Sequence, residues 1–173
     1  MADENINHLL DALGIAADYG ANPARPRYAE AAELVDVGPN IVGIPQRVTP
    51  DTADAWRKMC DSAAAEGIEL LLVSGFRSIA YQAELIARKL AAGQSLADVL
   101  AVNAAPGFSQ HHSGCAVDIA TPGARPLTLE FEATAAFAWL TANAARFGFR
   151  MPYPAGNRFG FAYEPWHWSR LDD

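Results

Sequence analysis

Two stretches far apart in the chain concentrate its ligand-type side chains, and any fold it adopts has to accommodate both. The first is Ser109-Gln110-His111-His112-Ser113-Gly114-Cys115-Ala116-Val117-Asp118, which holds two of the four histidines. The second is Glu164-Pro165-Trp166-His167-Trp168. In each, a polar residue is set into an apolar run. Asp118 shares a strand face with Ala116, while Cys115, Val117 and Ile119 point the other way. His167 likewise points opposite to Trp166 and Trp168. If the two strands are neighbours, they bury their apolar faces in one core and bring Asp118 and His167 together on the reverse. Ser113-Gly114 gives the chain a bend through which His111 can swing in from the preceding loop.

The rest of the chain supplies a framework. Thr49-Pro50-Asp51 reads as a helix start, with a Thr cap, Pro at the first helical position and acid in the first turn. Trp56, Met59, Cys60, Ala63 and Ala64 form its apolar stripe, and Gly67 ends it. Ile68 to Val73 suits a buried strand. Ser78 caps a second helix with Tyr81, Leu85, Ile86 and Leu90 on its buried side, stopped by Gly93. Ser95 to Asp98 is a capping box for a short third helix that ends before Pro106-Gly107. Cys115 to Ile119 is expected as a strand, Ala133 to Phe147 as a helix and Phe149 to Tyr153 as a strand. After the Pro154 to Asn157 turn, a last strand is expected near Trp166 to Ser169.

Helices come early and turn-linked strands late, without regular alternation. The expected class is therefore α+β: a small central antiparallel sheet carrying the site, flanked by helices from the first half of the chain. At 173 residues a single domain is expected over 1–173, with 1–48 an N-terminal arm wrapping a core of 49–170. The arm offers a short helix from Ile6 to Leu13, a strand around Leu34 to Gly38, and no evident chemistry. His8 within it reads as a solvated surface residue.

Composition narrows the function classes. A net charge of −7, from 20 acidic and 13 basic residues, argues against a nucleic-acid or anionic-membrane surface. Cys60 and Cys115 are too few for a disulfide framework and read as free thiols. No apolar run reaches membrane-spanning length, and the opening Met1-Ala-Asp-Glu-Asn has no basic-then-apolar secretory pattern. The expected compartment is the cytoplasm, with release by another route the alternative.

Two imidazoles and one carboxylate are a common protein shell for catalytic zinc, with the fourth position open. His111, Asp118 and His167 supply that set, and zinc held there lowers the pKa of water to about 7. Glu164, three residues before His167, would face the wrong side of a regular strand. Pro165 restricts it to extended geometry, and a bend there places its carboxylate over the open position as general base. Arg77, on the Ser74-Gly75-Phe76-Arg77-Ser78 turn, suits a substrate carboxylate, or a structural ion pair. His112 suits pocket or supporting duty better than ligation. The G-x-S-x-G, S-x-x-K and H-E-x-x-H patterns are absent, so neither serine hydrolase nor zincin chemistry is supported.

Ser109-x-His111-x-x-Gly114-x-Ala116-x-Asp118 followed by Glu164-x-x-His167 resembles the paired signature of VanY-type zinc D-alanyl-D-alanine carboxypeptidases. These are grouped with lysostaphin-type peptidases and the hedgehog signalling domain. Val73-Ser-Gly-Phe-Arg77-Ser78 and Tyr81-Gln82 resemble that family's substrate-binding segment, and the likeness runs from about Thr49 to Ser169. It implies His111, Asp118 and His167 as zinc ligands and Glu164 as base. It also implies Arg77, Gln82 and Ser109 as the groups holding a C-terminal D-residue, and a peptidoglycan-derived peptide as substrate. L,D-carboxypeptidase, wall endopeptidase and catalytically silent zinc module are the alternatives.

Overall fold

Every residue of the strand Ala116–Ala120 is buried, and the fold is built outward from it. The computed structural model describes residues 2–171. The chain opens with helix α1 (Ala2–Ala12) and a short 3-10 turn at Ala17–Ala21. Strands β1 (Val35–Pro39) and β2 (Pro45–Val48) follow as an antiparallel hairpin. Then come α2 (Pro50–Ala65), β3 (Leu71–Ser74), α3 (Ile79–Ala91) and α4 (Leu96–Ala101). A 3-10 turn at Gln110–Ser113 leads into β4 (Ala116–Ala120). The last elements are α5 (Ala135–Asn143), with 3-10 turns on either side, and β5 (His167–Ser169).

Strands β3, β4 and β5 form an antiparallel sheet with β4 in the centre. Its apolar face carries Leu72, Val117, Ile119 and Trp168 into the main core, where α2 contributes Trp56, Met59 and Ala63 and α5 contributes Trp139 and Leu140. The architecture is the α+β arrangement expected, with α5 from the second half joining the early helices. The local signals act as read. Thr49 accepts from the Thr52 amide at 3.4 Å, Ser78 from Tyr81 at 3.0 Å and Ser95 from Asp98 at 3.1 Å, each fixing a helix start. Among the described residues no helix is long and apolar enough to cross a membrane. Both cysteines are free and partly buried.

Several expectations are corrected. The helix expected over 133–147 is broken into a 3-10 turn at Leu129–Ala133, α5 and a second 3-10 turn at Ala144–Phe147. Thr134, extended at ψ 155°, caps α5 by accepting from the Phe137 amide. Phe149 to Tyr153 forms only a bridge from Arg150 to Ser169. Helix α3 buries Gln82, Ala83 and Ile86, while Tyr81 is turned outward. The segment Pro45–Val48, unassigned in the sequence reading, pairs with β1 because Val35 opposite Val48 lets both residues join the main core.

The arm is organised around the loop that enters the site. Ile6, Leu10 and Ile15 pack with Ala105 and Phe108 in a second apolar cluster. The Tyr28 and Ala31 amides donate to the carbonyls of Gly107 and His112, both at 2.8 Å. The hairpin closes on the turn after β3: Gly75 donates its amide to Gln46 Oε1 at 2.9 Å and Phe76 donates to the Arg47 carbonyl at 2.7 Å. A Cβ on Gly75 would lie 2.7 Å from that Arg47 oxygen. Backbone cannot yield there as a side-chain tip can. Gly75→Ala is expected to cost about 1–3 kcal/mol, as overpacking does, read as a lower urea midpoint; an unchanged midpoint would show that the hairpin moves freely against the turn.

Candidate metal centre

Asp118 and His167 are direct partners in the register of β4 and β5, so both project from the outward face of the sheet. His111 arrives from the Gln110–Ser113 turn, started by Ser109, whose Oγ accepts from the His111 amide at 3.3 Å. Gly114 ends that turn at φ +66°, in the left-handed region, and so redirects the chain into β4. All three side chains are buried.

The donor atoms converge. His167 Nδ1 lies 2.9 Å from Asp118 Oδ1 and His111 Nε2 lies 3.2 Å from Asp118 Oδ2. One ligand atom from each residue falls within 4.8 Å of the others. Tetrahedral zinc with bonds of about 2.0–2.2 Å places its donors roughly 3.3 Å apart, so the separations suit such an ion. The outer ring nitrogens settle the tautomers. His111 Nδ1 donates to the Gly75 carbonyl at 2.6 Å and His167 Nε2 donates to Gln110 Oε1 at 3.0 Å. Each neutral ring then turns a lone pair inward, toward a carboxylate. His111 Nε2 is buried with no hydrogen-bond partner. Three electron-rich atoms facing one point, with their outer sides anchored, are a cation site by the chemistry of the donor set.

The electrostatics agree. Burial, reinforced by the Arg77 guanidinium, pushes His111 down to about 4 against the pull of Asp118, so the ring is neutral at neutral pH. Burial alone would raise Asp118, but a proton on the imidazole nitrogens at its oxygens, His111 first, holds its carboxyl well below the usual range, and a bound cation would take that proton's place. Glu164 goes the other way. Burial, then the Asp118 charge, raise it to about 8, while Arg77 and Lys89 pull it back.

Glu164 is not on a strand. Its carbonyl accepts the His167 amide at 3.1 Å, closing a turn through Pro165 just ahead of β5. The strand-parity difficulty therefore does not arise, and Glu164 lines a small chamber with His111, His167, Arg77, Gln82 and Ser109. In that chamber Arg77 Nε and Gln82 Oε1 are buried without partners. Arg77 also stands 3.8 Å from Asp118 Oδ2. All seven residues singled out in the sequence thus surround one chamber or its metal face. His112 is placed elsewhere: its Nδ1 donates to the Arg77 carbonyl at 2.6 Å and its Nε2 accepts the Gly107 amide at 3.1 Å, so it holds the Arg77 turn.

Sequence reading missed Gln110, Tyr28 and Tyr153. Gln110 Nε2 donates to the Tyr28 hydroxyl at 3.4 Å, which leaves Oε1 toward His167. Tyr153 stacks on the His167 ring, 4.7 Å between centroids. Gln110 sat inside the motif with a residue type able to orient a histidine; for Tyr28 and Tyr153 the sequence carried no signal.

Residues 45–172 match the VanY family of D-alanyl-D-alanine carboxypeptidases. The chain belongs to that family. A D-alanyl-D-alanine carboxypeptidase of Enterococcus faecalis (strain ATCC 700802 / V583) is 31% identical over 157 residues, 85% of this chain and 54% of the relative. The chain spans about half the length of the curated relatives it matches. Among solved structures, the LdcB LD-carboxypeptidase superposes with a TM-score of 0.71 at 32% identity, covering 83% of this chain and 70% of that one. A mutant of the vancomycin-resistance D,D-pentapeptidase VanY, in complex with Zn(II), gives 0.60 at 29%, covering 79% and 77%.

Two expectations concern this VanY-like centre. Zinc titration against a competing chelator is expected to show His167→Ala without tight binding and Gln110→Ala weakened about 10–100-fold, the usual effect of removing an orienting partner. Full affinity in Gln110→Ala would make its contact with His167 incidental. The second is a pH dependence. Folded Glu164 keeps its proton to about pH 8, against an ordinary value of 4.5. The folded state therefore binds more protons between those values, and its stability falls as pH rises through the window. Metal-free Glu164→Gln is expected to gain on the parent across that range in urea unfolding; a constant difference would refute the shift.

Proposed function

We propose that this chain is a zinc-dependent carboxypeptidase that removes the C-terminal D-alanine from peptidoglycan stem peptides. The observation that carries the reading is the single chamber in which an inward-facing His-Asp-His donor set meets the Glu164 carboxylate and two unpartnered polar atoms of Arg77 and Gln82. His111, Asp118 and His167 would hold the metal. Zinc bound there supplies a Lewis acid that polarises the scissile carbonyl and acidifies the attacking water.

The chain's own residues supply the rest. Arg77, with an unpaired buried donor, receives the substrate's terminal carboxylate, and Ser109 and Gln82 complete the pocket for its last residue. Glu164 takes the proton of the attacking water and later delivers it to the leaving amine. Burial beside the Asp118 charge favours its taking up that proton, and the Arg77 and Lys89 cations favour its giving the proton back. Burial of the chamber strengthens each of these contacts.

The likeness to the LdcB LD-carboxypeptidase supports a second reading, cleavage of an L,D bond with the same machinery. The two differ in the residue on the acyl side of the bond, not in the leaving D-alanine. Mass spectrometry of defined muropeptides, with and without a chelator, separates them. Glu164→Gln is expected to retain zinc and lose about 10²–10⁴ in kcat; turnover at the parent rate would overturn its role as base.

A further inference from the structure

A small chamber and a large groove share the same metal face. The chamber around Glu164 has a volume of about 30 Å³, about the share of one water molecule, so it takes no more than the tip of a peptide. The remainder of any peptide has to leave it. A second cavity of about 540 Å³ begins at Arg77, which lines both, and is floored by Val73 and Asp118. Leu72 and Ile119, paired across β3 and β4, point into the core on the reverse. By strand alternation the floor residues therefore lie on the metal side.

The walls of this groove are apolar and open to solvent. Ile44 on the hairpin is 56% exposed, Tyr81 on α3 46% and Leu127, in the loop after β4, 47%. Three unrelated elements thus aim large apolar side chains at one space, where scattered surface residues would not converge. Tyr81 sits under the Arg88 guanidinium, 5.4 Å from its ring centroid. Leu127 is the only non-glycine residue with positive φ among the described residues, at +56°. A leucine in that region carries a backbone cost. Its loop is tied down by Arg125, whose amide and guanidinium both bond Glu130. Among the described residues lining the groove, Asp118 is the only carboxylate and Arg47 adds a cation, so the lining suits a peptide arm with aliphatic and anionic groups.

We propose that this groove binds the acyl side of the substrate, the residues preceding the scissile bond, and that Ile44, Tyr81 and Leu127 set the preference for what stands there. The proposal rests on the carboxypeptidase reading. Ile44 lies just outside the segment that matches the family, so this wall belongs to the chain's own arm.

The test compares N-acetyl-D-Ala-D-Ala, too short to reach the groove, with the pentapeptide L-Ala-γ-D-Glu-L-Lys-D-Ala-D-Ala. The parent is expected to favour the pentapeptide in kcat/KM by tenfold or more, because remote contacts supply binding energy. Ile44→Asp and Leu127→Gly are each expected to shrink that ratio about tenfold, chiefly through KM. Leu127→Gly also relieves the backbone, and an unchanged urea midpoint separates a lost contact from a lost fold. A parent that treats both substrates alike, or variants that lose both equally, would overturn the groove. Calorimetry of the two peptides on Glu164→Gln asks the same question without turnover. If the parent releases D-alanine from neither peptide, the D,D reading falls, and release from the tetrapeptide L-Ala-γ-D-Glu-L-Lys-D-Ala tells whether the L,D reading stands. Calorimetry then decides alone: tighter pentapeptide binding lost in Leu127→Gly sustains the groove, and equal binding of both removes it.

Discussion

The pairing of Asp118 with His167 across β4 and β5 is the constraint on which the rest depends. A carboxylate set into the central strand of a small sheet is expensive to bury unless its oxygens are met. Here each oxygen faces an imidazole anchored on its far side, His111 by the Gly75 carbonyl and His167 by Gln110, so a cation shared by all three is what would offset the cost. The anchors choose the tautomers, and the tautomers turn lone pairs inward. The sheet thus buries hydrophobic residues on one face and assembles an electron-rich cluster on the other.

The N-terminal arm contributes more to this cluster than its sequence announces. Its Tyr28 hydroxyl accepts from Gln110, so the orientation of His167 is passed back to a residue outside the family match. Its Ala31 amide fixes the His112 carbonyl, and its hairpin presses on the Gly75 turn that orients His111. Helix α1 closes the apolar cluster beneath the loop at Ala105 to Phe108. Rigidity at the site is assembled by remote packing.

Charge is balanced locally in a chain that is acidic as a whole. Arg77 and Lys89 both act on Glu164, and Lys89 is itself lowered by burial and by Arg77. Lys89 is held by Asn103, which lines the same chamber. Two cations, Arg77 and Lys89, and the Asp118 carboxylate therefore all act on Glu164, an arrangement that spreads pKa values apart.

By itself the sequence determined what rests on neighbours along the chain. Thr49, Ser78 and Ser95 capped their helices because a cap needs only a side-chain oxygen and the next turn. Alternation around Asp118 and His167 assigned their shared face because strand geometry has a fixed period, and the donor types at His111, Asp118 and His167 were legible as a candidate metal set. Tertiary structure alone decided the rest. Tyr81 turned outward against its helical stripe because Gln82 took the inner position, the 133–147 helix broke at Thr134, and β2 appeared because β1 offered a partner. Gln110, Tyr28, Tyr153 and the wall formed by Ile44 and Leu127 acquire meaning only from groups brought close by distant segments, and no local pattern records such proximity.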